Sequence, residues 1–174
     1  YFPIDVYTGE EIDPEISTSK VNDVVFYLKT LKAPVQRSQN DAEVIRGKNL
    51  FNQVNCVGCH KSDLTTGYSP ITALAFKSFS PYTDLLLHNM GSGLDDGYTE
   101  GIAKTYEWKT PALWGLGLSE NSQGGQYFLM HDGRAHSIEE AISMHGGEAT
   151  NSRTAFSNLS QADKNAVLKF LKSL

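Results

Sequence analysis

The chain has 174 residues, a formal charge of −5 at pH 7, 40% hydrophobic and 20% charged residues, and two cysteines. These values suit a globular domain of ordinary size that can bury a core without staples. The acidic balance and the lack of a basic run argue against nucleic acid, and no apolar stretch approaches the roughly 18 residues that would suggest integration in a membrane.

Tyr1 to Glu15 carries Pro3, Gly9 and Pro14 among scattered acids and reads as an irregular lead-in. The chain opens in what looks like the middle of a loop, without a visible signal peptide, so a longer parent is expected. Ser17, Thr18 and Ser19 offer N-caps for a helix to Leu31, with Val21, Val24, Val25, Leu28 and Leu31 on one face. Ala33-Pro34 ends it, because the residue before a proline avoids the helical region. The polar run Val35 to Asn40 reads as a linker. Asp41 then caps a second helix over Ala42 to Val54, with Val44, Leu50, Phe51 and Val54 apolar. Gly47, one turn before Phe51, allows another helix to cross closely.

That helix leads straight into C-V-G-C-H, residues 56 to 60. A bare C-x-x-C fits a thioredoxin-like pair, half a zinc site or a haem attachment site. The histidine that follows selects the third. Two thiols add across the haem vinyl groups, and a short loop delivers the histidine nitrogen to the iron. Zinc would need further ligands, and no other cysteine exists. A redox pair should follow a strand, whereas here a helical pattern precedes it. The motif therefore predicts one covalent haem c, held by Cys56 and Cys59, with His60 as the proximal iron ligand. Covalent attachment also implies an exported, for instance periplasmic, protein.

The long middle, Ser62 to Ser137, is rich in Gly, Pro, Ser and Thr. Its only short helical candidates are Asp84 to Met90 and Pro111 to Leu116, and no run of alternating strands stands out. A haem that replaces much of the side-chain core explains loops of this length. A last helix, Gln161 to Lys172, is capped by Ser160 with Asp163 in the capping-box position, and buries Val167, Leu168, Phe170 and Leu171. The expected fold is mainly α: a cytochrome c-like haem domain over 41–174 with long loops wrapping the haem, preceded by a lead-in and connecting helix over 1–40. The Pro70 carbonyl is a candidate acceptor for the second nitrogen of His60. Spacing leaves the sixth iron ligand open among Met90, Met130, Met144, His88, His131, His136 and His145. Trp108 or Trp114 is a candidate haem wall.

Four segments carry a resemblance: Y-T-D-L-L-L-H-N-M-G (82 to 91), E-W-K-T-P-A-L-W-G-L-G (107 to 117), M-H-D-G-R-A-H-S-I-E-E-A-I (130 to 142) and H-G-G-E-A (145 to 149). With the haem motif, they resemble the bacterial di-haem oxidoreductases, whose members are often labelled thiol oxidoreductases. That family is related to the di-haem cytochrome c peroxidases. The resemblance runs from about Val21 to Leu174. Such proteins usually carry two C-x-x-C-H sites in two cytochrome c-like domains. The resemblance implies that this chain is the C-terminal one, with a missing N-terminal haem domain or another redox partner protein, passing single electrons. In the peroxidases, a methionine on the helix after an F-H-x-G segment ligates the second haem. Without a gap, that position falls on His145, and Met144 is one residue short. Neighbours on a helix point about 100° apart, so only one faces the iron. The resemblance thus favours His145, then Met90, then Met144; a plain capping role for His145 before Gly146-Gly147 is the alternative. It also places His131, and Arg134 as a partner for carboxylates, near the haem. Rival functions are a stand-alone monohaem electron carrier and a peroxidase with a displaceable sixth ligand.

Overall fold

The computed structural model describes residues 15–174, so the lead-in expected before Glu15 lies outside the described residues. Two compact units divide between Lys32 and Ala33, ahead of the expected boundary at Asp41. The first contains α1, Thr18–Thr30, whose N-cap Ser17 accepts from Lys20 N–H. Its last turn is tied by Thr30 Oγ1, which donates to the carbonyls of Phe26 and Tyr27. Although its apolar residues keep helical spacing, none of its residues is buried.

The second unit is built on a crossing of α2 (Ala42–Gln53) and α6 (Gln161–Ser173). Asp41 Oδ1 accepts from the amides of Glu43 at 2.8 Å and Val44 at 3.1 Å. Ser160 Oγ accepts from Asp163 N–H at 3.2 Å, the first half of the expected box, and donates to the Asp163 carboxylate at 2.7 Å, a side-chain bond in place of the return bond to the Ser160 amide. The crossing is close because Gly47 has no side chain: a Cβ there would strike the Ala166 carbonyl and come within 2.8 Å of Phe170 Cβ. Phe51 and Phe170 then meet edge to face at 5.4 Å, and Tyr82 joins both at 6.2 and 5.7 Å. Val167 and Phe170 are 0% exposed and centre the core. Outside it, Lys169 bridges Asp41 and Glu43, and Arg46 pairs with Asp163.

The stretch expected as a free linker is docked instead. Arg37 N–H donates to the Ser173 carbonyl at 2.7 Å, its guanidinium to the Lys172 carbonyl, and Gln36 Nε2 to Ser173 Oγ. The orphan carbonyls at the end of α6 find their partners here.

Between the two helices run short elements. β1 (Leu64–Thr65) pairs antiparallel with β2 (Ser78–Phe79), and β3 (Leu87–Asn89) with β4 (Glu107–Lys109), in the register His88 opposite Trp108. Then come α3 (Leu116–Ser122), α4 (Ile138–Ser143) and α5 (Thr150–Ser157). Two helical expectations fail here for local reasons. Over Asp84 to Met90, Thr83 Oγ1 takes the Leu85 amide and Asp84 Oδ1 the Leu86 amide, while Leu85 itself has φ +63°. Side chains that capture backbone amides compete with a helix, and the chain continues as β3. Over Pro111 to Leu116, the Leu113 amide is committed to the Pro81 carbonyl and Gly115 has φ +77°, so α3 starts only after it.

Candidate functional site

The end of α2 delivers the C-V-G-C-H segment. Asn55, with φ +63°, adopts the left-handed conformation that closes a helix, and a single 3-10 turn, Cys56–Gly58, follows. The His60 amide donates back to the Cys56 carbonyl at 3.0 Å. Both cysteines are free and face a cavity of about 450 Å3, a size typical of small-molecule and cofactor sites. Burial pushes the Cys56 thiol up to about 11, and burial with the nearby charges of Asp84 and Glu148 raises that of Cys59. Raised in this way, both thiols lack the lowered pKa that marks a reactive redox cysteine.

His60 lines the same cavity, and its Nδ1 donates to the Tyr82 carbonyl at 3.0 Å. Tyr82, not Pro70, is therefore the acceptor. The Tyr82 backbone has φ +55°, while its ring is anchored by Phe51 and Phe170, so core packing holds a carbonyl that sequence spacing did not suggest. Burial drives His60 down to about 4, leaving it neutral with a lone pair on Nε2.

His145 comes off the end of α4, one residue past its C-cap Met144. Its Nδ1 donates to the Ala141 carbonyl at 2.7 Å, and burial lowers its pKa too. The rings of His60 and His145 stand 6.5 Å apart, centroid to centroid, at 47°. Two imidazoles bonded through Nε2 to opposite faces of one metal ion, at about 2 Å each, place their centroids roughly 6 Å apart. The observed separation agrees with that value, and with Nδ1 of each ring committed to a carbonyl both Nε2 atoms carry the lone pair.

The other candidates divide. Met90 and Met130 line the cavity; Met144 does not. His131 lines it as well, stacked on Trp108 at 3.6 Å and 8°, and Trp108 Nε1 donates to the Leu94 carbonyl. Trp114 instead faces Phe79. Arg134 does not line the cavity: its guanidinium is bound by Asp132 at 2.6 Å and by the Gly93 carbonyl at 3.0 Å. His136 Nδ1 donates to the Tyr127 carbonyl. His88 holds the Asp84 carboxylate on one nitrogen at 2.8 Å and that of Glu148 on the other at 2.9 Å, and these bonds, Glu148 first, raise its pKa. The donor atoms of Cys59, Asp84 and His88 lie within 4.8 Å of one another, but both His88 nitrogens are engaged by carboxylates. Glu148 and Tyr82 stood in the quoted segments without an assigned role, because neither a backbone carbonyl nor a lone glutamate carries a sequence signal.

Among known proteins, a family model described as "Di-haem oxidoreductase, putative peroxidase" matches residues 4–174. A solved structure of hydrazine synthase from Kuenenia stuttgartiensis, under xenon pressure, is similar in fold, with a TM-score of 0.54 at 18% identity. The similarity covers 91% of this chain and 56% of that one, so this chain spans little more than half the neighbour's length. No curated protein is a match. The prosthetic group named by the family fits the donors present: two thiols and two neutral imidazoles around one cavity. The chain belongs to the di-haem oxidoreductase family.

Proposed function

We propose that this chain is the c-type cytochrome domain of a di-haem oxidoreductase, in which Cys56 and Cys59 would anchor one haem covalently and His60 and His145 would ligate its iron. The observation that carries this reading is the His60–His145 pair, 6.5 Å apart, each with Nδ1 committed to a carbonyl. A bound haem supplies one-electron chemistry, at a potential lowered by two imidazoles relative to a histidine–methionine pair. The chain's own contribution is to fix both rings, through Tyr82 and Ala141, and to surround the cavity with apolar side chains such as Leu94, Ile138 and Leu171 that exclude water. A cytochrome c-like fold is supported by the helix entering the motif and the α2–α6 crossing.

The second haem of the family name points to a partner domain with its own attachment site, since this chain's two cysteines serve one. Covalent attachment, as read from the C-V-G-C-H motif, supports a location outside the cytoplasm, in the periplasm or beyond. The peroxidase of the family description supports a second reading, in which His145 is displaceable by a small ligand.

Production with a cytochrome c maturation system tests the anchors. The chain should retain haem under denaturing electrophoresis, and the double variant Cys56→Ala, Cys59→Ala should retain none. Haem that extracts freely from the unaltered chain would contradict the assignment.

A further inference from the structure

The turn that follows His145 is held by close backbone crossings and by one carboxylate. Gly146 and Gly147 cross the backbone of Asn89, Met90 and Gly91 at a distance that admits no side chain. A Cβ on Gly146 would come within 2.6 Å of the Met90 carbonyl oxygen, and one on Gly91 within 2.9 Å of Gly147 N. Glu148 then reaches across the crossing. Its Oε1 accepts from the Asn89 amide at 2.8 Å, and its Oε2 accepts from His88 Nδ1 at 2.9 Å. His88 Nε2 donates in turn to Asp84 at 2.8 Å. The strand beneath is fixed by its ladder to β4 and by Met90 N–H, which donates to the Tyr106 carbonyl.

We infer that Glu148, with His88 and Asp84, is a positioning element that holds the His145 imidazole in the cavity by clamping the turn after it to β3. On the N-terminal side His145 is fixed by α4, through its amide to the Ile142 carbonyl and its Nδ1 to Ala141. On the C-terminal side, two glycines give no side-chain packing, so the clamp supplies the restraint. This also gives the H-N-M-G segment a role: it is the surface that the His145 turn is strapped to. Groups that orient a metal-bound histidine typically change site affinity or activity by about 10- to 100-fold when removed.

The inference rests on His145 as the sixth ligand, and the test separates the two. In haem-loaded protein, Glu148→Ala should raise the high-spin fraction of the oxidised spectrum and speed cyanide binding by about 10-fold. Glu148→Gln, which still accepts from Asn89 N–H, should restore most of the wild-type spectrum and rate. His145→Ala is run beside them. If His145→Ala loses six-coordination while Glu148→Ala matches wild type in spectrum and cyanide rate, the clamp is wrong and the ligand stands. If His145→Ala keeps the wild-type spectrum, the ligand assignment fails first and the clamp with it. Should Glu148→Ala fold poorly, His88→Ala takes its place: a raised high-spin fraction and faster cyanide binding there support the clamp, and a wild-type spectrum and rate overturn it.

Discussion

On its Cys56–His60 side the cavity rests on two crossed helices whose contacts are apolar and buried: Phe51, Val167, Phe170 and Leu171. On its His145 side the support is the short helix α4, short strands, glycine crossings and hydrogen bonds between side chains and backbone, as at Glu148 to Asn89 and Trp108 to Leu94. The first side is a packed core that also presents an imidazole. The second is a polar scaffold that places groups with little core of its own. Damage to the first should therefore appear as lost stability, and damage to the second as altered behaviour of the bound group.

The largest effect on stability is expected from Phe170→Ala. It opens the contact among Phe51, Tyr82 and α2, and truncation of a buried aromatic costs about 3–5 kcal/mol. Because Tyr82 also orients His60, this variant should loosen the His60 ring as well as lower the denaturation midpoint. Trp108→Leu tests the other side. Losing the stack on His131 should cost about 1 kcal/mol beyond the lost area. Denaturant titration of both variants would break the comparison if Trp108→Leu proved as costly as Phe170→Ala.

The smallest effect concerns the outer surface of the helix pair. Lys169 holds Asp41 below the usual carboxylate value of 3.8, and Ser160 and Arg46 do the same for Asp163. A lowered folded-state pKa contributes stability that is present above the ordinary value and is lost as pH falls through the lowered one. Melting midpoints should be flat in these groups above about pH 4 and drop slightly below it. Asp41→Asn with Asp163→Asn should remove that part of the acid limb; an unchanged limb would show that these exposed pairs contribute nothing.

The same contrast explains what could be read from the sequence. Caps and periodic apolar positions are local signals, so α2, α6, their caps and the role of Gly47 were legible, as was the C-V-G-C-H motif. The polar side was not. β3 and β4 have three residues each, too short for a period, and over Asp84 to Met90 the side chains of Thr83 and Asp84 take the amides that a helix would need. The acceptor for His60 is a backbone carbonyl in a left-handed residue, which no side-chain pattern announces. His145 stood among the candidates left open by spacing and was favoured only through the family resemblance; its nearness to His60 depends on a fold that brings the end of α4 to the motif across the whole middle of the chain. Arg134 is the partner of a carboxylate, as the resemblance implied, but that carboxylate is Asp132 and the guanidinium does not line the cavity.

The most direct test of the account is the optical spectrum of the oxidised, haem-loaded protein beside that of His145→Ala. The account predicts a six-coordinate low-spin haem without the far-red charge-transfer band of methionine–iron ligation, and loss of six-coordination in the variant. A methionine band in the unaltered protein, or a variant spectrum identical to it, would contradict the pairing of His60 with His145.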